Sequence, residues 1–461
     1  MRHILKPNRF VKNVSWLLFG RIFQMAVQFI LSVVTARYLG PSGFGTINYV
    51  ASYIAFFTSF ILFGLNGVIV HELVQNRDKE GDILGTAIRI RLIASIISVI
   101  IFFVVIGFAE GYDSGFFVIA LLMSLQLPFT ALDTIGYWYQ SNLLSKYTVI
   151  IQSTAFVFVA AYEIFILATH KSITWFACSS TLNVILVSIL YYYSYHKQSK
   201  QKLRFSRAIA KRMLKACLPF MLANFMVQIY AQTDKIMIRA LLGSVDGVGI
   251  YSICVTISGI IGVVVGALID SSRPIIMELK TKGDSHYVLR FTQLATTVVW
   301  LAFFYSLIIT LFSSQIIHIL YGDAYLSGVT CLRIVVWYTA FSYLGGLRSI
   351  WLICENKNKY VFWLSAMGAL TNIVLNFLLI PRFGIEGAAF ATLVTQLLAN
   401  LIYPAIFKDT RPFSKLALKA ISPFKLLTKG FESNGQEDRP SVSYENQEIL
   451  GKQGKFNHLM Q

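Results

Sequence analysis

The stretch ARYLGPSGFGTINYV at residues 36–50 joins two long apolar runs through a single tight turn. The first run ends beside Arg37, and Gly40 and Pro41 then interrupt the chain before the second run begins. A glycine just after a helix, followed by proline, is the usual signal for a helix end. Because apolar sequence resumes at once, the pattern predicts a hairpin between two long helices rather than the end of one surface helix.

The composition is that of an integral membrane protein. Of the 461 residues, 56% are hydrophobic and only 13% are charged, whereas soluble domains carry about 25% charged residues. The basic N-terminus begins like a signal peptide, but the apolar run behind it spans about 20 residues and lacks a convincing cleavage site. We therefore predict a first transmembrane helix that is retained.

Twelve apolar stretches are long enough to cross about 30 Å of hydrocarbon. They are residues 14–36, 44–70, 87–109, 116–138, 148–169, 173–195, 216–238, 247–270, 291–312, 329–354, 360–380 and 386–407. If the N-terminus is inside, the inside loops hold 21 Lys and Arg residues, and the outside loops and helix ends hold 4. The sequence thus predicts an all-α membrane protein with both termini in the cytoplasm.

A second stretch, IRALLGSVDGVGIYSIC at residues 238–254, repeats the pattern of the first. Since each half contains six predicted spans, which is an even number, the two halves share one orientation, as in transporters with parallel repeats and a central site. This organisation predicts two six-helix bundles around a central cavity, at residues 1–200 and 201–407. Residues 408–461 are predicted to form a cytoplasmic tail that is first basic and interfacial and then disordered.

Four stretches in this order resemble the polysaccharide-biosynthesis flippases of the multidrug/oligosaccharidyl-lipid/polysaccharide exporter superfamily. Residues 36–50 match the family's A-R-x-L-G-x-x-x-[FY]-G opening, and residues 233–251 match its D-[KR]-x-x-[IL] seventh helix. LYGDAYLSG at 320–328 is similar to its fifth outside loop, and NFLLIPRFGIEGAAFATL at 376–393 to its eleventh–twelfth hairpin.

The resemblance implies a transport function in a bacterial inner membrane. The substrate that it implies is a polyprenyl-pyrophosphate-linked oligosaccharide, moved from the cytoplasmic to the outer face for O-antigen, capsule or exopolysaccharide synthesis. The implied partners are this substrate, the lipid bilayer and the polysaccharide assembly machinery, including a polymerase and a chain-length regulator.

Polar residues form one stripe on the first predicted helix and another on the seventh. The first comprises Arg21, Gln24, Gln28, Ser32 and Thr35, and the second Asn224, Gln228, Gln232, Lys235 and Arg239. Spacings of three and four residues keep each stripe within about 80° of arc. The polar residues of the stripes either form hydrogen bonds between packed helices or line a water-filled cavity between the halves. In a cavity, Arg21, Lys235 and Arg348 would present cations to a diphosphate.

Three further ionisable residues at membrane depth have open alternatives. Arg37 is either a cavity cation, as the resemblance implies, or an anchor at a helix end. Asp234 either forms a structural ion pair with Lys235 or Arg37, or serves as a site for a coupling ion, H⁺ or Na⁺. Glu163, deep in the fifth predicted helix, is the second candidate for that site.

Four more ionisable residues lie near cytoplasmic helix ends, and the two acids among them are expected to be solvated. They are Asp133, Asp270, Arg89 and Arg91. The two arginines are expected to be ordinary members of the positive-inside charge pattern, since they lie where the third predicted span begins.

Motifs of enzymes and of cofactor sites are missing from the sequence. We find no phosphate-binding loop with Lys-Ser/Thr, no G-x-S-x-G motif and no Cys/His cluster with metal-ligand spacing. The net charge of +18 is explained by loops beside anionic lipid, so no nucleic-acid partner is expected. The sequence predicts a transporter without cofactor or metal. The alternatives are a cation-coupled small-molecule exporter of the same superfamily or, less favoured, a membrane glycan polymerase.

Overall fold

A computed structural model describes residues 7–421 of the chain, apart from 113, 200 and 284–285. Within this range the side chains of residues 7–19, 21, 219, 220 and 223 are not described. All regular structure in the described part is helical. The all-α class predicted from the sequence is therefore confirmed for that part.

Eight α-helices form the first half of the described chain. They are α1 (Pro7–Leu62), α2 (Leu65–Gln75), α3 (Glu80–Glu110), α4 (Gly115–Ser124), α5 (Gln126–Phe129), α6 (Ile135–Ser141), α7 (Ser145–Ala168) and α8 (Ile173–Gln198). Short 3₁₀ turns occupy Arg77–Lys79 and Thr130–Thr134.

Nine α-helices form the second half. They are α9 (Arg207–Leu242), α10 (Val245–Gly259), α11 (Gly262–Thr281), α12 (Tyr287–Tyr321), α13 (Val329–Val335), α14 (Tyr338–Cys354), α15 (Lys359–Leu397), α16 (Tyr403–Ile406) and α17 (Arg411–Ile421). A 3₁₀ turn precedes α13 at Asp323–Gly328, and a π-helical turn follows α15 at Leu398–Ile402.

Several of these helices are long and apolar enough to cross a membrane. The described residues contain seven such stretches, or nine if each of two bent helix pairs counts as one span. Two of the seven, in α1 and α15, contain a break at Gly40 and Gly384 that divides the helix into two arms. Helix α9 is absent from this set although it holds the predicted seventh span. The prediction of twelve spans stays a prediction.

The two predicted hairpin turns are confirmed. Gly40 has φ 66° and ψ 179° between the two arms of α1, a backbone conformation that glycine adopts without a steric penalty. Gly243 ends α9 with φ 65° and ψ 5°, in the left-handed cap geometry. Ser244 then starts α10, because its Oγ accepts a hydrogen bond from the Gly247 N–H at 2.9 Å.

Two predicted spans are less regular than the apolar pattern indicates. The span at 44–70 is broken at Phe63 and Gly64, whose φ angles are 50° and 63°. The span at 116–138 consists of α4, α5, a 3₁₀ turn and the start of α6. Hydropathy measures how apolar a segment is and does not detect where its helix is interrupted.

One hydrophobic core joins the two halves of the chain. Buried side chains of α1, α3 and α4 pack with those of α10, α12 and α13, including Val50 and Phe102 from the first half and Tyr251 and Ile317 from the second. A second core lies within the later helices, and a third lies within the earlier ones and includes the start of α9. The halves are therefore in extensive contact on one side.

Helix α17, the first part of the predicted tail, is docked against the second half of the chain. Phe413 and Ala417 are buried in the later core, and the Phe413 ring lies 6.0 Å from that of Trp351. Lys415 and Lys419 stay exposed on the opposite side. The rest of the tail, which was predicted to be disordered, lies outside the described residues.

Candidate functional site

A cavity of about 520 Å³ lies beside α9. Its walls come from the second arm of α1, the start of α2, helices α4, α5 and α8, and α9 itself. Its polar lining consists of Thr58, Ser59, Asn66, Gln126, Ser180, Asn224 and Gln228. The remaining lining residues are aliphatic residues, Met and Gly, so none of the described residues around the cavity is charged.

The polar stripe predicted on the seventh helix leads from this cavity along α9. Asn224 and Gln228 line the cavity, and Gln232 and Lys235 follow on the same face, partly buried. Lys235 lies seven positions after Gln228, which is about 10 Å along a helix axis. The Lys235 ammonium makes no hydrogen bond or ion pair with any described residue, although the carboxylate of the neighbouring Asp234 acts on it electrostatically.

The stripe predicted on the first helix is only partly visible. The Arg21 side chain lies outside the described residues. Gln24 is partly buried and Gln28 is exposed, and neither makes a hydrogen bond within the described part of the chain. This arm of α1 packs closely on α7, since a Cβ added to Gly20 would lie 2.6 Å from Val149 Cγ1.

Two other predicted cations bind backbone carbonyls instead of lining the cavity. The Arg37 Nη2 donates to the carbonyl of Ile319 near the end of α12, so this exposed arginine joins the two halves. Arg348 is buried and its Nη1 donates to the Ala399 carbonyl, which belongs to the π-helical turn after α15. The Arg348 Nε is buried and has no partner among the described residues.

Asp234 is the centre of a buried hydrogen-bond cluster, although an ion pair was one of its predicted roles. Its Oδ1 accepts hydrogen bonds from the side-chain amides of Asn372 at 3.0 Å and Asn376 at 2.6 Å. Its Oδ2 accepts from the hydroxyls of Tyr251 and Thr392, each at 2.5 Å. We call these five residues the Asp234 cluster. The carboxylate is thus held by four neutral donors and not by a cation.

Sequence reasoning missed the partners of Asp234. Asn372 and Asn376 lie four residues apart in α15, so they share one face of a largely apolar helix. This four-residue spacing of asparagines was the signal in the sequence that could have indicated a polar site on this helix. Thr392 lies beyond the break at Gly384, and the backbone reversal there brings it back beside the two asparagines.

Arg91 is buried and Asp133 is partly buried, which corrects the expectations that Arg91 is an ordinary positive-inside residue and that Asp133 is solvated. Arg91 is 0% exposed, and its Nη1 donates to Thr134 Oγ1 at 2.9 Å. Its Nη2 donates to Asn66 Oδ1 at 2.8 Å and to the Leu62 carbonyl at 3.3 Å. The Asp133 Oδ1 is buried without a hydrogen-bond partner among the described residues. Arg91 is buried because the helix break after Leu62 leaves the Leu62 carbonyl without its helical partner, and the Arg91 guanidinium donates to that carbonyl.

The remaining ionisable residues lie elsewhere in the fold. Glu163 is partly buried on α7 near Ser179 of α8, in the other half of the chain from the Asp234 cluster. Arg89 and Asp270 are exposed, as predicted. Asp270 forms an ion pair with Arg273 at 3.5 Å.

The two predicted outer hairpins touch each other through glycines. A Cβ added to Gly45 would lie 2.1 Å from the Val245 carbonyl oxygen, and one added to Gly249 would lie 2.1 Å from the Pro41 carbonyl oxygen. The Tyr325 hydroxyl reinforces the junction by donating to the α1 backbone at 2.8 Å. We call this backbone-to-backbone junction the outer contact. It holds the halves together at their predicted outer ends.

Comparison with protein families identifies relatives over much of the chain. A family model described as polysaccharide biosynthesis protein matches residues 10–280. The capsular polysaccharide biosynthesis protein CapF of Staphylococcus aureus is 22% identical over 415 residues, covering 86% of this chain and 99% of CapF. An uncharacterized membrane protein of Methanocaldococcus jannaschii is 23% identical over 420 residues, covering 83% of this chain and 80% of that protein.

Solved structures share the fold. The lipid II flippase MurJ in an inward closed conformation aligns with a TM-score of 0.69 at 15% identity, covering 90% of this chain and 92% of MurJ. An inward-facing multidrug resistance transporter of the MATE family and MOP superfamily aligns with a TM-score of 0.68 at 12% identity, covering 85% of this chain and 95% of that one. At these identities the likeness concerns the fold alone.

Proposed function

The chain belongs to the polysaccharide biosynthesis protein family, and we propose from this premise that it is a flippase for lipid-linked glycans. In this proposal it moves polyprenyl-pyrophosphate-linked oligosaccharide units from the cytoplasmic to the outer face of a bacterial inner membrane. It works by alternating access, with twelve spans in two six-helix bundles and both termini in the cytoplasm. The product serves the synthesis of O-antigen, capsule or exopolysaccharide.

The observation that carries the proposal is Lys235, a cation without a hydrogen bond or ion pair to any described residue. It lies on a polar stripe that leads into a cavity whose described lining is uncharged. A charge at membrane depth is costly unless it faces water or an anion. A diphosphate supplies such an anion, and an ammonium binds it through charge-assisted hydrogen bonds. The names of CapF, a capsular polysaccharide biosynthesis protein, and of MurJ, a lipid II flippase, support the same class of substrate.

Deletion of the gene tests the proposal directly. We expect cells without the protein to accumulate polyprenyl-pyrophosphate-linked oligosaccharide and to lose the corresponding surface glycan. Mass spectrometry of extracted lipids measures the accumulated intermediate, and expression of the wild-type protein should remove it. Loss of the surface glycan without any lipid-linked intermediate would place the protein at another step.

The other predicted cations have distinct places in the proposed cycle. Arg21, whose side chain lies outside the described residues, is assigned to the same headgroup site as Lys235 because the two polar stripes lie on equivalent helices of the two predicted halves. Arg37 and Arg348 are bound to the carbonyls of Ile319 and Ala399, so they must exchange those partners before either can bind a headgroup. We therefore assign them to a later stage of transport, after the two halves have moved.

The Asp234 cluster is the proposed site for a coupling cation. The buried carboxylate is surrounded by hydroxyl and carboxamide oxygens once the amides of Asn372 and Asn376 turn, and hard cations such as Na⁺ prefer oxygen ligands. The Asn376 Oδ1 is already buried without a hydrogen-bond partner among the described residues. A cation bound there would satisfy this oxygen and neutralise the carboxylate.

Sodium is expected to raise the melting temperature of the wild-type protein but not that of Asp234→Asn. A ligand at 100 times its Kd stabilises the folded state by about 2.7 kcal/mol, and the variant lacks the charge that binds it. The measurement compares purified protein in sodium chloride and in choline chloride at equal ionic strength. Asp270→Asn, which removes an exposed carboxylate, is the matched control and should retain the effect. A sodium effect that survives in Asp234→Asn would contradict this site.

A further inference from the structure

The lining of the cavity suits a neutral sugar better than a phosphate. Its seven polar side chains are hydroxyls and carboxamides, and no charge is found among the described residues that form its wall. Bound anions are held by cations or by converging N–H donors, whereas each sugar hydroxyl both donates and accepts. We infer that this cavity is a subsite for an uncharged sugar of the lipid-linked glycan, separate from the diphosphate at Lys235. The inference rests on the proposed function and specifies one part of its substrate.

The cavity offers donors and acceptors that internal hydrogen bonds have oriented. Arg91 donates a hydrogen bond to the Asn66 Oδ1 at 2.8 Å. The Asn66 NH₂ group is therefore left to donate to a ligand. In Gln126 the donor group is used instead, because its Nε2 donates to the Met123 carbonyl at 2.7 Å and to Ser180 Oγ at 3.4 Å. Its Oε1 is left as an acceptor. A polyhydroxylated ring can use both kinds of group, but a diphosphate can use only the donors.

Two lining residues on α9 have hydrogen-bonding capacity that the protein does not use. The Gln228 Oε1 is buried and has no partner within the described chain. Asn224 is exposed and makes no hydrogen bond to a described residue. A ligand that donates to the Gln228 Oε1 is favoured, because a buried polar atom without a partner is costly, and Asn224 offers the same ligand a second amide. The aliphatic wall, with Ile54 and Val227, suits the C–H face of a sugar ring.

The dimensions also fit a sugar joined to a diphosphate. Gln228 and Lys235 are about 10 Å apart along the axis of α9, so one ligand can reach both residues. The cavity volume of about 520 Å³ lies within the range of about 300–1,000 Å³ typical of small-molecule sites. The cavity therefore accommodates the sugars next to the diphosphate and leaves the remainder of the glycan outside it.

Native mass spectrometry of the purified full-length protein tests the subsite with three lipid probes. The first is a polyprenyl diphosphate without sugar, the second bears a neutral disaccharide, and the third bears a disaccharide of uronic acids. We expect the wild-type protein to bind the neutral-sugar lipid about tenfold more tightly than the sugar-free lipid, and the uronic acid lipid without this gain. Asn224→Leu/Gln228→Leu should lose the preference and still bind the sugar-free lipid like the wild type.

Control variants separate the sugar subsite from the headgroup site. Gln315→Leu removes an exposed polar side chain of α12 that makes no hydrogen bond to a described residue, and it should retain the preference. Lys235→Ala should weaken the binding of all three probes by a similar factor. A similar loss for all three probes would show that the protein binds the diphosphate independently of the sugar.

Three results would overturn the inference, each in a different way. Equal binding of neutral-sugar and sugar-free lipids by the wild type would exclude the subsite and leave the proposed flippase intact. Equal gains from neutral and acidic sugars would exclude the assignment of an uncharged ligand. Failure to bind any of the three lipids would overturn the proposed function, and the inference with it.

Discussion

Replacement of Lys235 by alanine is expected to lower export of the lipid-linked glycan about 10- to 100-fold while the protein still inserts. A hydrogen bond to a charged group contributes about 1.5–3 kcal/mol, and the Lys235 ammonium makes no hydrogen bond or ion pair with a described residue. The measurement is the amount of accumulated polyprenyl-linked intermediate in a deletion strain that expresses the variant, normalised to protein level.

Two comparisons show whether the effect belongs to the headgroup site. Lys215→Ala removes an exposed lysine from the same helix, about two and a half turns before the first cavity residue of that helix, and export should stay at the wild-type level. Lys235→Arg keeps the charge and should retain most of the activity. Wild-type export by Lys235→Ala at normal protein level would mean that the diphosphate is bound elsewhere.

The sequence predicts the same outcome for Arg21, whose side chain lies outside the described residues. Arg21→Ala should reduce export strongly, because the proposed headgroup site would then lose one of its two cations. Arg21→Lys should restore part of the activity, since the charge survives but the bidentate guanidinium does not. Export is measured in the same deletion strain, and full activity of the double variant Arg21→Ala/Lys235→Ala would refute a cationic site on these two helices.

The local features of the fold could be predicted because their chemistry is local. The breaks at Gly40 and Gly243 follow from glycine's access to positive φ, and Pro41 marks the start of the next helix. The stripe that contains Gln228 and Lys235 follows from helical periodicity alone. The structure then adds the cavity beside this stripe, which depends on side chains from five other helical segments.

The long-range contacts could not be predicted from one sequence. Asp234 is bound by residues more than 130 positions later in the chain, and periodicity does not say which helix faces meet. Arg91 shows a related limit, because the positive-inside rule assigns charges near helix ends to water. The break after Leu62 instead gives this arginine a buried carbonyl to bind. A break in a helix thus supplies backbone carbonyls to which a buried arginine can donate hydrogen bonds.

Alanine at Gly45 or Gly249 is expected to shift the protein from a state closed at the outer contact to one that is open there. Each added Cβ would lie 2.1 Å from a carbonyl oxygen, and a backbone atom cannot move aside as the end of a side chain can. Overpacking costs about 1–3 kcal/mol, which changes the ratio of closed to open protein about 5- to 150-fold. Export should fall as well, because alternating access requires the outer side to close whenever the cavity faces the cytoplasm.

Distances between spin labels at Ser42 and Ser327 measure this shift. Both positions are exposed and lie on opposite sides of the outer contact, so the distance should lengthen in Gly45→Ala and Gly249→Ala. Gly266→Ala is the matched control, since a Cβ at that position meets nothing within 4 Å. Unchanged distances in both alanine variants would show that the junction does not separate during transport. A lengthened distance with reduced export would identify these two glycines as the point where the halves part, because the added methyl groups strain the closed junction and leave the open one free of contact.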